Sequence, residues 1–119
     1  MMKRLERQRE DLQFRILALI ERYPQMSQRD LAREIGVSLG SVNHCLRILL
    51  ANGLIKLAEL QAAQHKLCHS YSLTLAGIAQ RRQLRPGYVE RRRAQFEAIK
   101  AELEQLQDDR TASTDRAVR

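Results

Sequence analysis

The chain has 119 residues, a formal net charge of +7 and two cysteines. That length allows one small core and one extension, not two full domains, and the basic excess favours a polyanionic partner. No apolar run approaches the roughly eighteen residues needed to span a bilayer, so no membrane-spanning segment is expected.

Two cysteines without a CxxC or a paired framework suit a reducing, cytoplasmic setting. The opening residues MMKRLERQRE are charged and lack the apolar stretch of a signal peptide. From Arg4 to Tyr23 the spacing predicts a helix whose dense apolar part, Leu12 to Ile20, packs under the segment from Ser27 onward. The polar KRLERQRE ahead of it cannot bury by itself and is expected to project until a partner covers it. Tyr23-Pro24 ends the helix, because the residue before a proline is pushed out of the helical region.

The organising stretch is Ser27 to Ile55. Ser27 is an N-cap, and Leu31, Ala32 and Ile35 put apolar groups on one face of a short helix. Gly36 ends that helix in the left-handed conformation, Val37 is expected to tuck inward, and Ser38 caps a second helix running to about Ala51. Asn52-Gly53 closes it. Small Ala32 facing a glycine turn lets the two helices cross closely, which is a helix-turn-helix.

At 100° per residue, Val42, Leu46 and Leu49 form the stripe of the second helix that must be hidden, flanked by Cys45, Leu39 and Leu50. Gly40, Ser41, His44, Arg47 and Ala51 face the other way, with Asn43 and Ile48 at the edges. Small and polar residues crowded toward a helix N-terminus suit entry into a major groove. Arg47 is the candidate for a guanine or phosphate contact, with Gln28, Arg29 and Ser38 at the capped ends beside it.

Leu54 to Glu59 and Leu67 to Leu75 both alternate and predict a β-hairpin. Gln61, Gln64, His65 and Lys66 at its tip are expected to lie along a phosphate backbone or in the minor groove. Thr74 is an N-cap candidate for a helix from Leu75 to about Leu84, broken or kinked at Arg85-Pro86-Gly87. Beyond it, Val89, Arg92, Phe96, Ile99, Leu103 and Leu106 alternate steps of three and four, the seam spacing of a coiled coil. Val89, Phe96, Ile99, Leu103 and Leu106 are therefore the expected dimerisation residues. A single amphipathic helix lying on its own domain is the plainer alternative. Residues 76–93 hold six arginines against Glu90, whereas residues 94–119 hold four basic and six acidic groups. Positive charge thus gathers near the middle of the chain.

The fold expected is mainly α with a small β-hairpin. A winged helix-turn-helix domain over residues 1–84 is followed by a long C-terminal dimerisation helix over 85–108 and a polar, disordered tail over 109–119. The function expected is a sequence-specific transcription regulator that binds double-stranded DNA as a homodimer. No enzyme, cofactor or metal is expected. No nucleophile–base–orienter set or phosphate-cradling glycine loop is visible. In an alternating strand Cys68 and His69 point to opposite faces, so His65, Cys68 and His69 do not readily share an ion. Two alternatives are a winged-helix protein-interaction module and a metal- or thiol-gated regulator, the latter tested by Cys68→Ser.

QMSQRDLAREIG at 25–36, VSLGSVNHCLRILLANGLIK at 37–56, HKLCHSYSLTLAGI at 65–78 and FEAIKAELEQL at 96–106 resemble winged helix-turn-helix regulators of the MarR type. More closely they resemble the branch called exopolysaccharide (EPS)-associated transcriptional regulators. The resemblance spans roughly residues 12 to 107 and implies control of polysaccharide export or biosynthesis genes. The branch has a lysine where Ser41 stands, an aromatic where His44 and His69 stand, and Pro-Lys where Leu75-Ala76 stand. The first two departures touch the reading face, so the operator sequence does not carry over.

Overall fold

The structure is a computed structural model that describes residues 3–58 and 70–118. Its elements in order are α1 (Arg4–Arg22), α2 (Gln28–Ile35), α3 (Leu39–Ala51), β1 (Ile55–Ala58), β2 (Ser70–Leu73) and α4 (Leu75–Val118). The chain forms two compact units, Met1–Pro86 and Gly87–Arg119.

In the first unit α1 contributes Phe14, Ile16, Leu17 and Ile20 to the interior, and its first two turns are exposed. Leu5, on that overhang, is 60 % accessible. The helix stops where Pro24 requires, with the Tyr23 N–H donating to the Leu19 carbonyl at 2.7 Å.

The caps of α2 are local chemistry. Ser27 Oγ accepts from the Asp30 N–H at 3.0 Å, and Asp30 Oδ2 accepts from the Ser27 N–H at 3.2 Å, a reciprocal capping box. At the other end Gly36 takes φ 82°, and the Gly36 and Val37 N–H groups both donate to the Ala32 carbonyl. Arg15 of α1 donates to the Ile35 carbonyl at 3.3 Å, placing a cation at the negative end of α2. Ser38 Oγ then accepts from the Ser41 N–H at 3.1 Å and starts α3. At its far end Gly53 takes φ 69°, and the Gly53 and Leu54 N–H groups donate to the carbonyls of Leu50 and Leu49. That pair of bonds is a Schellman closure.

Val42, Cys45, Leu46 and Leu49 of α3 are buried against Leu31 and Ala32 of α2 and Ile16, Leu17 and Ile20 of α1. Two expected positions differ. Val37 is exposed instead of tucked in, because the left-handed turn at Gly36 commits its backbone to closing α2 and turns the side chain away from a filled core. Leu39 is 43 % accessible instead of flanking the hidden stripe; it is the first residue of α3, and no preceding turn covers it.

β1 and β2 pair antiparallel with Ile55 opposite Leu73, Lys56 opposite Ser72, Leu57 opposite Tyr71 and Ala58 opposite Ser70. Ile55 and Tyr71 are buried while Leu57, on the same face, is exposed. Ser70, expected on the opposite face from Tyr71, is nonetheless buried, its hydroxyl donating to the Pro24 carbonyl at 3.1 Å. The residues between these strands, with Gln61, Gln64, His65, Lys66, Cys68 and His69, lie outside the described residues.

Thr74 caps α4 and does more. Its Oγ1 accepts from the Gly77 N–H at 3.1 Å and donates to the Gly53 carbonyl at 2.6 Å, while its own N–H donates to the Leu54 carbonyl at 3.1 Å. α4 was expected to break or kink at Arg85-Pro86-Gly87; it does not break there but continues. Proline's fixed φ is helical, and its missing N–H costs the single bond to the Arg82 carbonyl.

In the second unit the helix extends to Val118, past the expected end near 108. Beyond 108 the good helix formers Arg110, Ala112, Arg116 and Ala117 are interspersed with poorer ones, and each added residue on an existing helix needs no new nucleus. Thr111 Oγ1 donates to the Gln107 carbonyl at 3.0 Å along the way. Val89, Phe96, Ile99, Leu103 and Leu106 are all exposed, and Arg92 in the same seam donates to Gln95 Oε1 at 3.2 Å.

Candidate nucleic-acid interface

A helix that is to read DNA must hide one face completely and leave the other uncluttered. On α3 the hidden side is closed, with Val42 and Leu49 at 0 % accessible surface. On the other side Ser38, Gly40, Ser41, His44 and Arg47 are all exposed. The 100° periodicity of a short run of residues therefore sets the orientation of the helix.

The flanks of α3 differ from this open face. Asn43 is half-buried, and its Nδ2 donates to Gln28 Oε1 at 3.2 Å. That bond ties the first turn of α2 to α3 and leaves the Gln28 amide N–H groups and the Asn43 carbonyl oxygen for further hydrogen bonding. Arg29 stands exposed beside Gln28. The structure thus brings Gln28, Arg29 and Asn43 together at one edge of the open face. His65 and Lys66 lie outside the described residues.

On the opposite flank, α1 runs beside α3. Arg9, Leu12 and Gln13 line a cleft of about 290 Å³ together with Ser41, His44, Cys45 and Ile48. Sequence reasoning assigned Arg9 and Gln13 no part in the interface. The signal was present: positions 9, 13, 16 and 20 form one helical row, and the row changes from apolar to polar where it leaves the core.

The Asp30 carboxyl is held below its ordinary value of 3.8, chiefly by the Ser27 backbone hydrogen bond, then by the Ser27 hydroxyl. Burial pushes the Cys45 thiol up to about 11, so it is a neutral core group at physiological pH. Among the described residues no three His, Cys, Asp or Glu side chains converge as a metal site, and no helix is long and apolar enough to cross a membrane. A larger cavity of about 570 Å³ lies on the far side of α1 between Tyr23, Glu34 and Arg81, where Arg81 pairs with Glu21 at 3.2 Å.

Three helices, a tight glycine turn and a two-stranded hairpin define a winged helix-turn-helix fold. Residues 9–56 match a family model described as winged helix-turn-helix DNA-binding. No curated protein matches the chain closely enough to count as a relative.

Among solved structures the chain is similar to the Mycobacterium tuberculosis transcriptional regulator MosR. The identity is 24 %, the TM-score 0.57, and the match covers 76 % of this chain and 61 % of that one. It is also similar to the zinc-dependent MarR family regulator AdcR in its Zn(II)-bound state, at 18 % identity and TM-score 0.54, covering 77 % and 60 %. Streptococcus pneumoniae FabT in complex with DNA matches at 21 % identity and TM-score 0.50, covering 73 % and 57 %. The chain therefore spans about three fifths of the length of these regulators. At such identities the likeness is one of fold.

Proposed function

We propose that this chain is a sequence-specific, DNA-binding transcription regulator that works as a homodimer in the cytoplasm. The observation that carries the reading is the two-sidedness of α3: Gly40, Ser41, His44 and Arg47 open to solvent, Val42, Cys45, Leu46 and Leu49 hidden. α3 enters the major groove, where Arg47 reaches a base edge or phosphate and Ser38, Ser41, Asn43 and His44 supply shorter polar contacts. Gln28 and Arg29 at the start of α2 hold the backbone, with His65 and Lys66 of the hairpin expected to do the same. A regulator of similar fold has been captured on DNA, which supports this use of the scaffold.

Dimerisation is supported by the seam of α4. Val89, Phe96, Ile99, Leu103 and Leu106 stand exposed at the three–four spacing of a helix pair. Full burial of such side chains is worth about 1.5–3 kcal/mol each, and at 40–62 % exposure roughly half of that is still to be gained on pairing. Two copies would then read half-sites about 34–36 Å apart, or multiples of that, on a pseudo-palindrome. The resemblance to exopolysaccharide-associated regulators makes polysaccharide export or biosynthesis genes the first targets to test.

The experiment is selection of bound duplexes from a random-sequence pool, followed by anisotropy titration of wild type and Arg47→Ala on the recovered sequence. A recurrent two-fold motif, with loss of affinity in the variant and an unchanged melting curve, is the expected result. No enrichment at any salt concentration would overturn the reading.

A further inference from the structure

We propose that the cleft between α1 and α3 holds a phosphate of the DNA backbone, with Arg9 as its cation and Gln13 and Ser41 as supporting donors. The inference rests on α3 being the reading helix and adds a strand contact from an element not otherwise placed on DNA. The row Ile20, Ile16, Gln13, Arg9 runs along one side of α1. Ile20 and Ile16 are buried, Gln13 is half-buried and Arg9 is exposed. Where the row leaves the core it turns polar, and there it meets Ser41, His44 and Ile48 across the cleft.

Groove dimensions explain why a cation belongs there. A major groove is about 12 Å wide and a helix with its side chains about 10–12 Å across, so a seated helix brings both flanks against the phosphate rims. One flank of α3 is served by α2, through Asn43, Gln28 and exposed Arg29. The other flank, roughly a quarter turn from the middle of the reading face, carries Ser41 and Ile48, and no residue of α2 lines the cleft there. Arg9 and Gln13 of α1 stand on that side.

The donor chemistry fits a phosphodiester. Guanidinium offers a planar fork, and the Gln13 amide offers two N–H groups. Ser38 Oγ lies 2.8 Å from Ser41 Oγ; with the Ser38 hydroxyl donating across that contact, the Ser41 hydroxyl proton is left to turn into the cleft. Glu6, one turn before Arg9, directs its carboxylate to the Lys3 N–H at 3.4 Å. Leu12, Cys45 and Ile48 complete the lining with apolar surface.

The test uses the full chain and a fluorescein-labelled duplex of random sequence, because a phosphate contact acts alike on all sequences. The slope of log K against log salt is measured for wild type, Arg9→Ala, Arg9→Lys and Arg47→Ala, with thermal melting confirming the fold of each. Arg9→Ala is expected to bind more weakly and to make the slope shallower by about one per bound protomer, while Arg9→Lys restores the slope. An unchanged slope in Arg9→Ala, with Arg47→Ala still weakened, overturns the cleft assignment and leaves the reading helix standing. Unchanged binding in both variants likewise overturns the cleft assignment, and a wild type that does not bind at any salt concentration removes the DNA reading as well. A parallel melt in inorganic phosphate against chloride at equal ionic strength separates the remaining source. Arg9-dependent stabilisation by phosphate with no change of slope would make the cleft a free-anion site and overturn its assignment to DNA.

Discussion

Gly77→Ala is the sharpest structural test, because glycine-to-alanine inside a helix ordinarily stabilises. Helix propensity, which for glycine is mainly the loss of unfolded-state freedom, favours alanine by about 0.4–1 kcal/mol. Here a methyl group at Gly77 would overlap the Leu54 carbonyl oxygen, which is backbone and cannot swing aside. Relief requires α4 to lift from the segment that joins α3 to β1. That movement strains two hydrogen bonds, Thr74 N–H to the Leu54 carbonyl and the Thr74 hydroxyl to the Gly53 carbonyl. Overpacking costs about 1–3 kcal/mol and each lost hydrogen bond about 1 kcal/mol, so the net destabilisation is about 2–4 kcal/mol. For a unit of this size that lowers Tm by on the order of 10–25 °C. Gly40→Ala is the control. The nearest atom to its new methyl is Ser38 Oγ at 3.9 Å, so it should hold or raise Tm. Calorimetry on both variants decides the matter; a Gly77→Ala protein melting at or above wild type would refute the close approach.

The double change Phe96→Asp, Leu103→Asp should give monomers by light scattering without loss of helicity; persistent dimers would move the interface to another surface. Asp30 titrates below its ordinary value in the folded chain, so its stabilising effect is present above that value and disappears as pH falls through the folded one. Ser27→Ala removes the hydroxyl cap and should lower Tm, but it keeps the Ser27 N–H that chiefly holds Asp30 down, so acid titration by circular dichroism should show most of the loss on acidification retained in the variant. Cys45, raised to about 11, favours the folded state below its ordinary value of 9.0 and weakens it as pH climbs toward 11. In a Cys68→Ser background Cys45 should react with iodoacetamide at neutral pH only as fast as the first unit opens. Rapid labelling would contradict its burial.

Much of the helix-turn-helix was legible because its punctuation is local. Ser27, Gly36, Ser38 and Asn52-Gly53 each act within a few residues, and the hidden stripe of α3 follows from helix geometry alone. Val37 and Leu39 were misplaced because they sit at an element's edge, where periodicity gives way to how the turn leaves the core. Arg85-Pro86-Gly87 reads as a break or a kink because the local rule is sound, yet the helix runs on, since one missing hydrogen bond does not outweigh a long run of helix formers. The partnership of Arg9 with α3, and of Gly77 with Leu54, joins residues more than twenty positions apart. Nothing within either neighbourhood announces the other. The wing-tip positions His65 and Lys66 lie outside the described residues.

Thr74 fastens the exit of one helix to the entry of another. Its hydroxyl holds the Gly53 carbonyl and the Gly77 amide at once. The opening turn of α4 is thus tied to the tail end of α3 by polar bonds at the surface as well as by the hydrophobic interior. A single threonine thereby joins the two helix ends, and its replacement by valine would keep the shape and the backbone bond to Leu54 while removing both hydroxyl bonds.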